Sequence, residues 1–230
     1  MSVENLLSHP LLWRGRDTSL ARTPAIATGF DSLDRYLPGG GWPLTGISEI
    51  FIEHYGLGEL RVLMPALAAL SHRAVEVKKW IVWVAPPFVP YAPALAHHGV
   101  DLSRILLVHP PSSKKKVPDP KDTLWAVEQA IRSQSSIATL AWVKEADVTA
   151  LRRLQLGAEA HHCWTVLFRP VDVISQNSPA ALRFRLLSGR GSSGRGSPGG
   201  GEADIRVEIN KCRGRKPKSF LLSEPSLASF

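Results

Sequence analysis

The stretch Glu49 to Leu63, EIFIEHYGLGELRVL, has the layout of a phosphate-binding turn: an apolar run, two glycines, then a second apolar run. A working loop of pattern GxxxxGK[ST] curls backbone amides around the phosphates, offsets their charge with a lysine and holds Mg²⁺ with a hydroxyl. With Gly58 in the place of the last glycine, and Gly56 inside the turn, the first glycine falls on Glu53, the lysine on Glu59 and the hydroxyl on Leu60. A carboxylate about 4 Å from one phosphate charge costs roughly 4 kcal/mol at an effective dielectric of about 20. At a helix start, the same carboxylate gains roughly 0.3–1 kcal/mol from the free amides and the dipole. The expectation is a degenerate loop that fills its own anion site, with no nucleotide cofactor and no hydrolysis.

Other constellations carry less chemistry. His97 and His98 precede Gly99 in a helical stretch, and His161, His162 and Cys163 stand side by side, where an extended backbone turns neighbours to opposite sides. No metal site is expected. Asp31 with Asp34 reads as a helix N-cap region, and no GxSxG nucleophile elbow occurs. The two cysteines, Cys163 and Cys212, lie far apart without a CxxC, which fits a reducing, cytoplasmic compartment.

Charge points to the C-terminal part. The 230 residues carry a formal net charge of +8, and from Arg183 onward ten Lys/Arg stand against four Asp/Glu. Arg183 and Arg185 share a strand face by their two-residue spacing. The run Lys211, Arg213, Arg215, Lys216 and Lys218 then places five cations around a glycine and a proline. Such a run can hold DNA through its phosphates, hold an acidic protein surface, or simply be a solvated sheet edge. Phe184 and Phe220 are the only aromatics near enough to stack on bases, and Phe184 alternates toward the core.

The elements that must position these residues alternate regularly. A leader, residues 1–22, contains Trp13, and a short helix is expected over Asp31 to Tyr36, followed by a glycine-proline turn. Strands are expected at Ile47 to Ile52, Trp80 to Pro86, Arg104 to Val108, Ser136 to Val143 and in CWTVLFRP, as apolar runs without alternation. Helices are expected around Pro65, over YAPALAHH, from Thr123 to Ser133 and from Ala146 to Ala160. Strand-helix alternation implies a mostly parallel central sheet flanked by helices. ALRFRLL and ADIRVEINKC close the chain as an antiparallel hairpin around a Gly/Ser-rich loop, 187–203. Lys114 to Lys116 reads as a solvated loop, and four prolines between Trp80 and Ala96 exclude a membrane helix there.

With this order laid out, IATGFDSLDRYLPGGGWPLTGISEI, YAPALAHHGVDLSRILLVHP and ALRFRLL…ADIRVEINKCRGRKPKSF resemble the core of RecA-type recombinases. Within that group LLWRGRD, GLGEL and WVAPPFVPYAPALAHHGVDLSRIL are similar to the ImuA proteins of bacterial translesion-synthesis operons. The resemblance implies an α/β fold with a RecA-like P-loop-type core over residues 23–222 and a tail, 223–230. It also places Trp142 where the recombinases' strand-end carboxylate stands and Pro87 where their catalytic glutamate stands. It further implies a non-catalytic accessory protein of SOS-induced mutagenesis that binds an ImuB-like Y-family polymerase homologue. Through that partner it would reach the error-prone polymerase and sliding clamp, with RecA and DNA as further contacts and no membrane. A SulA-like inhibitor of FtsZ is the alternative, disfavoured by the leader and the basic tail.

Overall fold

The computed structural model describes residues 24–56, 58–111, 118–188 and 205–222. The leader, the Lys114 to Lys116 loop, all but the first two residues of the 187–203 loop and the 223–230 tail lie outside the described residues.

The chain starts with a two-residue strand, β1 (Ala25–Ile26), a single helical turn, α1 (Asp31–Asp34), and β2 (Trp42–Pro43), which pairs antiparallel with β1. There follow β3 (Ile47–Ile52), α2 (Met64–Glu76), β4 (Trp80–Val84), α3 (Ala92–His97) and β5 (Ile105–Val108). Then come α4 (Pro120–Arg132), β6 (Ser136–Trp142), α5 (Val148–His161), β7 (Trp164–Pro170), β8 (Leu182–Ser188), β9 (Ile205–Cys212) and β10 (Lys218–Leu222).

Eight strands form one sheet in the order β10-β9-β8-β3-β7-β6-β4-β5. All neighbours from β8 to β5 run parallel, and β9 and β10 are antiparallel additions at one edge. The expected mixed α/β architecture, mostly parallel with a C-terminal antiparallel hairpin, is therefore present. β8 is a parallel neighbour of β3 rather than an outer strand, so the hairpin reads β9-β10 as well as β8-β9.

Side chains alternate between two apolar layers. On one face Ile50, Trp83, Leu140, Phe168 and Phe184 meet Leu63, Leu67 and Leu70 beside α2, together with Val207 and Phe220 of the edge strands. On the other face Ile47, Val82, Val84 and Leu167 meet Val127 and Ile131 of α4 and Leu151 and Leu154 of α5. Both faces of the central strands are covered, which is why their sequences are apolar without alternation.

Several boundaries differ from the expected ones for identifiable reasons. α1 ends at Asp34, its N-cap is Phe30, and Asp34 instead accepts the Thr28 N–H at 2.8 Å. α4 and α5 start where Asp119 and Asp147 accept the N–H groups of Lys121 (2.8 Å) and Ala150 (2.6 Å). α3 stops as expected at Gly99, whose φ of +79° lets the Val100 N–H turn back to the Leu95 carbonyl at 3.0 Å.

Candidate functional site

The Gly56 to Glu59 turn lies at the carboxyl end of the parallel strands, where ligands of open α/β sheets bind. β3 ends at Ile52, and the chain turns through Gly56 and Gly58, both at φ +89°. Glu59, only 7% exposed, folds back over this turn, and its two carboxylate oxygens accept the Gly56 N–H at 3.2 and 3.1 Å. A charged acceptor on a backbone amide stabilises by about 1.5–3 kcal/mol. Glu59 stands at the head of a helical stretch whose α-helical part, α2, starts only at Met64, and its carboxylate is spent on the Gly56 amide rather than on an amide of α2. A 3-10 turn, Arg61–Leu63, stands between, with the Leu63 N–H bonded to the Leu60 carbonyl at 2.9 Å. Glu53 extends the other way and pairs with Arg185. Tyr55 packs edge-on to Phe88 with ring centroids 6.4 Å apart, and burial, then the Glu59 charge, pushes its phenol pKa up.

Trp142 closes the end of β6. It is buried, stacked on Phe168 at 4.7 Å and tilted against Trp83 at 5.9 Å. An indole there offers no oxygen to a metal's water shell. Pro87 lies just beyond β4.

Within the sheet, centred on β3, sits a charge cluster that the sequence reading missed. Glu49 is fully buried and accepts from Arg169 Nη1 at 2.6 Å and Arg183 Nε at 2.7 Å. Arg169 also donates to the Gln176 side-chain oxygen (2.9 Å) and the Ala146 carbonyl (3.3 Å), and Arg183 to the Ile174 carbonyl (3.0 Å). The signal was legible: Glu49 and Arg169 interrupt otherwise apolar strands, and a charge there needs a partner.

This cluster corrects one contact candidate. Arg183 was expected on a docking face; it is 8% exposed, its guanidinium 4.9 Å from the Phe51 ring centroid and its charge used on Glu49. Arg185 does share its face, but is drawn to Glu53. Lys211 is exposed, yet its ammonium donates to the Ser178 carbonyl at 2.8 Å, and desolvation, then the nearby Arg183 charge, pulls its pKa down. Arg213, Arg215, Lys216 and Lys218 stand exposed around the β9-β10 turn. Arg215 and Lys218 lie over the Tyr36 ring at 5.8 and 5.5 Å. Phe184 and Phe220 are both buried and offer no stacking platform.

The register separates the two features. Leu182 at the start of β8 pairs with Cys212 at the end of β9, so the basic turn projects from the amino-terminal end of the parallel sheet. The Gly56 to Glu59 turn lies at the opposite end. The two do not form one site. Among the described residues no group of three or more His, Cys, Asp and Glu could hold a metal, and both cysteines are free and buried.

Protein ImuA from Caulobacter vibrioides is 30% identical over 213 residues, covering 87% of this chain and 83% of its own length, and the protein from a second strain matches equally. The chain belongs to the ImuA family. No family model matches it. The crystal structure of SulA from Pseudomonas aeruginosa aligns with 54% of this ImuA-family chain and 97% of its own, at 24% identity and a TM-score of 0.42. Among the described residues no helix is long and apolar enough to cross a membrane.

Proposed function

We propose that this ImuA-family protein is a non-catalytic accessory factor of SOS-induced translesion synthesis, a RecA-like body kept for its surfaces after its phosphate loop lost the means to hold a triphosphate. The observation that carries this reading is the Glu59 carboxylate on the Gly56 amide. The group that a nucleotide's phosphate would need is already taken by a side chain of the wrong charge. Leu60 supplies no hydroxyl, and Trp142 with Phe168 fills the strand end where a metal-positioning carboxylate would stand. Membership of the ImuA family supports the translesion role.

In this reading the protein engages an ImuB-like Y-family polymerase homologue through its C-terminal part, Lys211 to Phe230, and through it the error-prone polymerase, with RecA as a further partner. Two measurements test it. Calorimetric titration of the purified chain with Mg-ATP should give no binding heat at micromolar protein, and a tight, stoichiometric isotherm would overturn the loss of the site. Co-purification with the ImuB-like protein should succeed for the full chain, and its failure would remove the partner assignment.

A further inference from the structure

Two runs of cations far apart in sequence reach the same end of the sheet. Lys78 and Lys79 immediately precede β4, and Arg104 immediately precedes β5, so they stand at the amino-terminal rim of the parallel strands. Arg213, Arg215, Lys216 and Lys218 stand at that rim as well, because β9 runs antiparallel to β8 and turns beyond Cys212. Charge balance along the sequence points to the C-terminal part alone; topology adds three cations to the four there.

Both wings are built alike. Arg104 lies over the Trp80 ring at 5.2 Å, and Arg215 and Lys218 lie over Tyr36 at 5.8 and 5.5 Å, so aromatic rings brace the cations. Tyr36 is itself fixed, its hydroxyl donating to the Lys216 carbonyl. None of these seven cations forms a salt bridge among the described residues, whereas Arg132, Arg153, Arg169, Arg183 and Arg185 all do. Against these seven cations stand Glu76, Asp101 and Glu159, of which Asp101, three residues before Arg104, feels that cation's charge.

We infer that the amino-terminal rim binds the phosphate backbone of duplex DNA without reading its sequence, with Lys78, Lys79 and Arg104 on one wing and Arg213, Arg215, Lys216 and Lys218 on the other. Five strand steps separate β4 from β9. At about 4.8 Å each this is about 24 Å, or about seven base pairs along a duplex. A duplex is favoured over a single strand because Phe184 and Phe220 are buried and the Tyr36 and Trp80 rings are already covered by cations. The inference shares with the proposed function only the hairpin as a contact surface. Its test uses no partner protein, so either can fail without the other.

The experiment is fluorescence polarisation of the purified chain on a labelled duplex of about 20 base pairs, between roughly 50 and 200 mM salt. Binding should weaken linearly in log-log form, with a slope of about −0.9 for each phosphate contacted. Lys78→Ala with Lys79→Ala should flatten the slope by about 2, and Arg213→Ala with Arg215→Ala and Lys216→Ala by about 3, with unchanged melting temperatures. Absence of binding would overturn the inference. So would equal competition by polyglutamate, charge for charge, which would mark an acidic protein as the occupant. Tighter binding to the single strand, or an effect of the hairpin variant without any effect of the Lys78 and Lys79 variant, would overturn it too.

Discussion

Glu49 stands directly opposite Arg183 across the parallel β3-β8 pair and accepts its Nε–H at 2.7 Å, while Arg169 donates to the other carboxylate oxygen from β7. One buried carboxylate thus ties three adjacent strands together through two guanidinium groups. Glu49→Ala would leave both without a counter-charge, and its expected cost is about 3–5 kcal/mol. Arg183→Met keeps the Arg169 pair and should cost clearly less. The half-exposed pair of Arg185 and Glu53 should be worth at most about 1 kcal/mol. Urea unfolding of the three variants checks the order; equal losses for Glu49→Ala and Arg185→Met would refute it.

This cluster also explains which parts of the molecule the sequence disclosed. Strands such as WIVWV and SIATLAW were legible because both of their faces are buried, so composition alone marks them. The helix starts at Asp119 and Asp147 were less so, since a capping aspartate looks like any polar loop residue until its acceptor meets an amide. The shared face of Arg183 and Arg185 followed from strand periodicity. Which way that face points did not, because it depends on β9 and β10 adding to the sheet beyond β8 and on Glu49 waiting opposite. The rim shared by Lys79 and Arg213 required the register of six strands, which no local pattern contains.

The Glu59 contact predicts a modest stability effect and no gain of activity. Glu59→Gln keeps the shape but removes the charge from the acceptor on Gly56, and should cost about 1 kcal/mol. On the proposed reading, in which Leu60 and Trp142 stand where metal-holding oxygens would be, it should not confer ATP hydrolysis. A malachite-green phosphate assay on the variant, beside thermal melts, tests both halves. Measurable turnover would show that the single carboxylate was all that silenced the site.

Cys212 gives a pH dependence. Burial, opposed by the smaller effect of Arg215, pushes its thiol from the ordinary 9.0 up to about 11. The folded chain therefore holds this proton longer than the unfolded one. The stability linked to it is fully present below pH 9 and is lost as pH rises toward about 11. The difference in unfolding free energy between the wild type and Cys212→Ala, constant below pH 9, should shift against the wild type through that window. A flat difference across it would mean the thiol is freely solvated. At pH 8 the folded protein should resist alkylation at this position, as read by mass spectrometry.

Where the chain is cut decides what a truncation can say about partner binding. Removing 223–230 leaves β10 whole, and the melting temperature should be unchanged. Removing 218–230 takes Phe220 and Leu222 out of the core and exposes Val207 and Ile209. At roughly 1.5–3 kcal/mol per buried apolar side chain, the loss of two is about 3–6 kcal/mol, and β9 becomes an open edge prone to pairing with other chains. It also removes the ring against which Tyr36 packs at 5.1 Å, loosening α1 from the hairpin. Loss of co-purification with the proposed ImuB-like partner on the longer cut would therefore report unfolding as readily as a missing contact. The shorter cut is the informative one: if it abolishes co-purification while the melt is unchanged, the tail itself makes the contact. If co-purification persists, the partner is held by the folded body, and the exposed turn from Arg213 to Lys218 is the place to test next.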